Sequence, residues 1–539
     1  MARTPLMTFL RRMVGDHVEA NRRGIPVGEA RAERAVRRRD VLKGMGAAAG
    51  AAVASRAGLA HAGHAPRIAI VGGGIAGLNA ALTLDDAGYG STIYESDDHF
   101  GGRIASDTTT WANGQVTEWC GELIDTGHTT MQALAARFGL TLDDLKAAEP
   151  VGSTETYYFK GHYYPYADAD ADFQHLIEVL TDQNTNAGYP TVYNSYTKAG
   201  WALDHLSLYA WIDKYVPGGH HSKLGMLLDV AYDIEYGRAT TEQSSLNLVY
   251  LLPGPTNDLV VFGYSDEHYH VRGGNDQIPK AIAAYLPAGT IKLSHALTKI
   301  VKNHDGSSTL TFKTPSGNQT VTADRVILTL PFSCLRFVDT SQAGFDTLKN
   351  IAIQELGYGT NAKLQLQFTE RYWNRAGKPW GNSNGTSYAD TGYQNTWDVT
   401  RAQPGATGIM VDYTGSAGAL FQPDMGDDSY SATSPAVRKY AAEFLEQIEP
   451  VFPGLGARYT GTATLHCPTD DPNLRGSYSC WLVGQYTLFS GYEGARQGKI
   501  HFAGEHCSTS FQGYMEGGAE EGARAAGEIL TDYQNGITP

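Results

Sequence analysis

Cysteine, positive charge and long apolar runs are all scarce in this 539-residue chain. The cysteines are Cys120, Cys334, Cys467, Cys480 and Cys507, odd in number and without C-x-x-C spacing. That excludes a disulfide framework and a zinc site and predicts free thiols. Lys and Arg number 42 against 57 Asp and Glu, a formal charge of −15. The imbalance is uneven: residues 1–62 hold 12 basic and 5 acidic residues, the remainder 30 and 52. So acidic a body repels nucleic acid and anionic membranes, and neither is expected as a partner. No apolar stretch approaches the roughly 20 residues of a membrane span, so no stable insertion is expected. There is no repeat at solenoid periods. The 42% hydrophobic and 18% charged composition is that of a soluble globular protein with room for two or three cores.

The basic N-terminus reads as an address. Arg38-Arg39-Asp40-Val41-Leu42-Lys43 resembles a twin-arginine export signal. A weakly apolar run, Gly44–Ala54, and the A-x-A pattern Ala60-His61-Ala62 follow it. Export to the periplasm or the medium is the expectation, with the mature protein starting near residue 63.

What is abundant is glycine, placed where it carries chemistry. Arg67–Val71 is a short apolar run suited to a buried parallel strand. Gly72, Gly74 and Gly77 then give G-x-G-x-x-G: a tight turn, a close approach of backbone to pyrophosphate, and close packing of helix on strand. The helix predicted over Ala76–Ala87 aims its free N–H groups at phosphates. A second strand, Ser91–Tyr94, delivers Glu95 to ribose hydroxyls. Together these predict a bound dinucleotide.

Further strands are predicted at Thr290–Leu293, Leu297–Lys302, Ser308–Lys313, Arg325–Leu330, Ala362–Phe368, Gly408–Tyr413 and Lys499–Gly504. Helices are predicted at Met131–Phe138, Asp172–Leu180, Lys223–Tyr232, Gln277–Tyr285, Ser434–Gln447 and Gly513–Leu530. Nucleotide-domain signals at both ends make the fold α/β and discontinuous. A Rossmann-like domain uses residues 63–150, 270–340 and 465–539. An intertwined α+β substrate domain, with a mixed sheet and a helical insertion, uses 151–269 and 341–464.

Gly101-Gly102-Arg103, Gly504-Glu505-His506 and Gly513-Tyr514-Met515-Glu516-Gly517 together resemble the flavin-dependent amine oxidase family of monoamine, polyamine and L-amino-acid oxidases. The resemblance implies FAD held by Gly72, Gly74, Ala76, Gly77, Glu95, Gly102, Arg103, Gly121, Leu123, Ile300, Glu505, Tyr514 and Met515. Arg103 would pair with phosphate, and the helix opening at Tyr514–Met515 would face the flavin N1/O2 edge. Gly518, Ala519 and Gly522 on that helix also suit plain close packing. Lys363 resembles the family lysine that holds a water against flavin N5; alternation puts it on one face with Gln365 and Gln367, opposite Leu364, Leu366 and Phe368. Tyr478 and Tyr514 resemble the two walls of the family's aromatic cage for the amine nitrogen. Ser477 stands where monoamine oxidases carry the flavin-linked cysteine, so FAD is expected to be non-covalent.

On the substrate side the resemblance points to Asp125 and Trp481. Asp125 would favour a second ammonium, although it equally suits capping the next helix. Ile124 stands where L-amino-acid oxidases carry a carboxylate-gripping arginine. The implied reaction is oxidation of an amine to an imine, with O2 reduced to H2O2. An L-amino-acid oxidase stays open as the alternative, as does a homodimer. No metal is expected.

Overall fold

The computed structural model describes residues 66–254, 256–263, 265–421 and 433–537. The arginine pair, the Ala/Gly run and the A-x-A pattern lie outside the described residues. All five cysteines are unpaired. No helix among the described residues is long and apolar enough to cross a membrane.

Ile68–Val71 is fully buried and lies at the centre of a five-stranded sheet ordered Ile500–Phe502, Arg325–Leu328, Ile68–Val71, Thr92–Tyr94, Ile291–Lys292. Every pairing in it is parallel. Its strands therefore come from both ends and the middle of the chain. Helix Ile75–Asp86 packs against helix Met515–Gln534, and both expose small residues to do so. A Cβ on Gly522 would overlap the Ala76 carbonyl, and Asn79 donates across the contact to the Ala519 carbonyl at 2.7 Å. Gly522 and Ala519 thus serve packing.

A four-stranded sheet flanks this unit, ordered Gly317–Ala323, Ser308–Thr314, Ala296–Lys302, Asp339–Gln342. The sequence reading missed Gly317–Ala323, whose polar residues are mostly exposed and lack an apolar alternation. The strand Arg325–Leu328 stops two residues short of the expected end.

The substrate side is a seven-stranded mixed sheet ordered Tyr459–His466, Ala362–Phe368, Gly408–Thr414, Asn395–Asp398, Ser383–Ala389, Thr154–Phe159, His162–Tyr163. Tyr459–His466 carries the chain in this sheet two residues past position 464. Ala362–Phe368 is buried throughout. Its apolar face, Leu364, Leu366 and Phe368, joins Val437, Ala441 and Phe444 of helix Pro435–Ile448 in one core cluster. Its polar face docks on segment 112–122: Gln365 Nε2 donates to the Glu118 carbonyl at 3.2 Å and Gln367 Nε2 to Gln115 Oε1 at 3.1 Å. A lysine on this face is therefore not a solvated charge.

The insertion between Thr154–Phe159 and Tyr269–Val271 is helical. The expected helix over 172–180 is split: a tighter turn at Gln174–Leu176 joins Tyr166–Phe173 to Ile177–Ala187 and buries both Phe173 and Leu176. Helix Lys223–Tyr236 starts with Ser222 Oγ accepting from Gly225 N and stops at Gly237, whose φ of 65° favours glycine. That stop places Ile234, Glu235 and Tyr236 in the wall of the main cavity.

Asp412 lies on the apolar face of Gly408–Thr414, and its Oδ1 has no partner. Burial pushes its carboxyl up to about 8. The unfolded chain ionises Asp412 near pH 4 and the folded chain only near pH 8, so the group costs stability progressively between those values and most above them. Asp412→Asn is expected to flatten the thermal midpoint between pH 5 and 9 and to raise it at pH 8.5. A midpoint that stays below wild type at pH 8.5 would contradict this.

Candidate functional site

One long cavity, with about 2050 Å³ of atom-free space partly open to solvent, runs between the parallel sheet and the seven-stranded sheet. At one end lie Glu95, Ser96, Asp97 and Asn473; the glycine turns 72–74 and 101–102 follow, then Arg103 and Glu505, and at the far side Lys363, Tyr478 and Tyr514.

The nucleotide end is built from backbone. Helix Ile75–Asp86 begins after Gly74 with no side-chain cap and no acid in its first turn, so its first N–H groups are left for a ligand. A Cβ on Gly77 would overlap the Gly72 carbonyl, which is why this glycine packs rather than lines the cavity. Glu95 is held in place: Oε2 accepts from Gly73 N at 2.5 Å, and Oε1 from Asp97 N and Ser96 Oγ at 2.9 Å. An uncapped helix start, an open approach at Gly74 and an anchored acid together fit a pyrophosphate and ribose. These residues suit FAD.

Arg103 Nη1 donates to Glu505 Oε1 and to the Ser477 carbonyl, each at 2.9 Å. The other Glu505 oxygen accepts from Ser479 Oγ at 2.7 Å and Gly513 N at 2.8 Å. Burial opposes ionisation of Glu505, but the Arg103 guanidinium outweighs it and the carboxyl stays below its ordinary range. Met515 opens helix Met515–Gln534 against Gly121, where a Cβ would come within 2.9 Å of Met515 Cγ. Glu516 turns away and accepts from Thr130 and Met131 N–H at 2.7 and 2.8 Å, tying helix Thr129–Arg137 to this one.

The two expected tyrosines both line the cavity and are linked through one residue. Tyr478 Oη donates to the Glu235 carbonyl at 2.8 Å, and Tyr413 Oη is 2.9 Å from it. Tyr514 Oη donates to Glu235 Oε1 at 3.2 Å. The ring of Tyr478 packs on Gly513, one residue before Tyr514. Lys363 Nζ donates to Glu122 Oε2 at 2.6 Å, and Trp397 Nε1 donates to Glu122 Oε1 at 2.9 Å. Nearby His466 is held down at about 4 by burial and the Lys363 charge.

Four expected residues lie elsewhere, the packed Gly77 among them. Asp125 is 3% exposed, and its carboxylate accepts from Ser265 Oγ at 2.9 Å and Glu267 N at 3.0 Å, so it pins a turn instead of facing a substrate. Trp481 is 1% exposed and donates to Glu493 Oε1 at 2.9 Å within the core. Ile300 is buried in the four-stranded sheet, away from the cavity lining. Gly72, Gly74, Ala76, Glu95, Gly102, Arg103, Gly121, Leu123, Lys363, Tyr478, Glu505, Tyr514 and Met515 all line it.

The sequence reading passed over the cavity's acids: Glu122, Glu155, Glu235 and Glu267. Glu122 alone had a local signal, the adjacent Gly121. The others come from a strand, a helix end and a turn, which no spacing connects. Burial pushes Glu267 up to about 7. The two cations that favour its ionisation, Lys146 and Arg401, both pair with Glu149, at 3.7 and 2.9 Å.

A family profile described as "Flavin containing amine oxidoreductase" matches residues 75–530. An L-amino-acid oxidase of Siganus canaliculatus is 24% identical over 88% of this chain and 86% of its own. Polyamine oxidase 7 of Oryza sativa subsp. japonica is 24% identical over 84% of this chain and 92% of its own. Among solved structures, cyclohexylamine oxidase from Brevibacterium oxydans shares the fold with a TM-score of 0.71 and 19% identity, over 87% of this chain and 99% of its own.

Glu505→Leu would leave Arg103 buried without a counter-charge and is expected to yield no soluble holoprotein. Glu505→Gln keeps the shape and one oxygen acceptor for Arg103 but turns the other oxygen into an NH2 that cannot accept from Gly513 N, and is expected to fold with at least tenfold weaker FAD retention. Titration of the flavin-free variant with FAD, read by flavin fluorescence, checks this; wild-type affinity would contradict it.

Proposed function

Since the chain belongs to the flavin-containing amine oxidoreductases, we propose that it acts on an amine without a neighbouring carboxylate, using FAD bound non-covalently. The enzyme is an FAD-dependent oxidase: the amine becomes an imine, water hydrolyses that to a carbonyl compound plus ammonia or a smaller amine, and O2 becomes H2O2. Bound FAD supplies the two-electron acceptor.

The charge of the cavity wall carries the choice of substrate. Among the described lining residues the cations near the tyrosines are Lys363 and Arg103, and each is paired, with Glu122 and Glu505. No guanidinium is left to grip an α-carboxylate bidentately. Glu155, Glu235 and Glu267 line the same wall; burial raises Glu155 and Glu267, a bound ammonium would draw them back to carboxylates, and a bound carboxylate would raise them further. The relatives include both amine and L-amino-acid oxidases, so the wall and not the kinship supports the choice.

Each residue then has a task. Tyr478 and Tyr514, tethered by Glu235, hold the amine nitrogen between them. Lys363 aims a hydrogen-bond donor into the cavity. Ser477 supports non-covalent FAD: its hydroxyl donates to Asn361 Oδ1 at 2.6 Å, and no thiol stands there.

Anaerobic mixing with monoamines, diamines and L-amino acids, read by loss of flavin absorbance, tests the reading. Amines are expected to bleach the flavin at least a hundredfold faster than L-amino acids; the reverse order would overturn it. Acid precipitation is expected to release all the flavin to the supernatant. Lys363→Met is expected to retain FAD and to slow flavin reduction or reoxidation at least tenfold.

A further inference from the structure

We propose that Glu122 is a positioning residue for Lys363, holding the ammonium so that one of its three N–H groups stays directed into the cavity. The inference rests on the assignment of Lys363 given above.

The argument is a donor count. An ammonium has three N–H donors and no acceptor. Lys363 Nζ is 2.6 Å from Glu122 Oε2 and 3.4 Å from the Glu118 carbonyl, and no third partner is found among the described residues. The side chain lines the cavity, so the remaining donor has only the cavity to address. The lysine cannot choose this pose alone, because its four-carbon stem has many rotamers. The carboxylate that selects the pose is itself held from the far side by Trp397 Nε1 at 2.9 Å. The Trp397 ring lies 5.5 Å from Nζ and adds a cation–π contact.

Three separate segments meet in this arrangement: the loop carrying Glu122, strand Ala362–Phe368 and strand Asn395–Asp398. The Lys363 and Glu122 side chains are each 6% exposed. Burial disfavours the Glu122 carboxylate, yet the Lys363 charge wins and keeps its carboxyl below the usual range. Removing either partner would strand a buried charge, whereas removing both would not. Glu122 does not need to touch a substrate to matter.

The experiment is a double-substitution cycle on the holoprotein with Glu122→Gln, Lys363→Met and the pair together. Two readouts are taken: the rate constants of flavin reduction and of reoxidation by O2, and the thermal midpoint. Glu122→Gln is expected to slow the same half-reaction that Lys363→Met slows, by at least fivefold, and the pair to lose no more than Lys363→Met alone. Each single substitution is expected to lower the midpoint by several degrees and the pair to recover most of it. Glu122→Asp should restore part of the rate.

Losses that multiply, a slowed step different from that of Lys363→Met, or a wild-type rate in Glu122→Gln would each overturn the inference. If Glu122→Gln does not fold, Trp397→Phe keeps an aromatic face, removes one donor to the carboxylate, and must slow the same step at least twofold. Wild-type bleaching by amines in the same runs separates failure of this inference from failure of the amine reading.

Discussion

The Glu505 carboxylate is the point at which the chain closes on itself. It accepts from Arg103, 402 residues earlier, and from Ser479 and Gly513, 26 and 8 residues away, so one buried side chain ties the start of the nucleotide unit to two segments near its end. These segments carry the second glycine turn, the first tyrosine and the second tyrosine. A carboxylate this deep is tolerable only because a guanidinium lies against it and directional donors fill its lone pairs. The cofactor cradle and the tyrosine pair are therefore not independent constructions. The same few atoms set the distance between them.

What the sequence reveals depends on whether backbone or side chains make the site. The glycine turns were legible because only glycine allows the helix of residues 75–86 to press on the preceding strand, and that need leaves a fixed spacing. Lys363 was legible through the resemblance of its strand to the family's; alternation alone put it on a polar row with Gln365 and Gln367, where a lysine reads by default as a solvated charge. Asp125 was misread: its targets, Ser265 and Glu267, lie 140 and 142 residues later, and no local pattern announces them. Trp481 turns toward Glu493, and Ile300 belongs to a sheet that flanks the nucleotide unit. The fold class and the discontinuity of the nucleotide unit could be read from motifs at both ends, while the acids of the substrate wall could not.

That wall has a physical logic of its own. Glu149 holds both Lys146 and Arg401, the two cations that favour ionisation of Glu267. Among the described residues Glu267 is left without an ion pair, in a lining that it shares with Tyr388, Phe262 and Trp397. Asp125 holds the backbone at Glu267, whose φ of 47° is unusual for a residue other than glycine. Groups outside the cavity thus leave Glu267 to take its counter-charge from whatever the cavity binds.

The order of strands in the parallel sheet has a consequence for how the protein is made. The edge strand Ile500–Phe502 pairs with Arg325–Leu328, and the turn carrying Glu505 and the helix beginning at Met515 follow directly. A nascent chain emerging from the ribosome has its glycine turn early, yet the cradle stays open until Glu505, 402 residues after Arg103, and Gly513 have followed. A message truncated even slightly before residue 515 encodes a protein with most of its mass and none of its closed site.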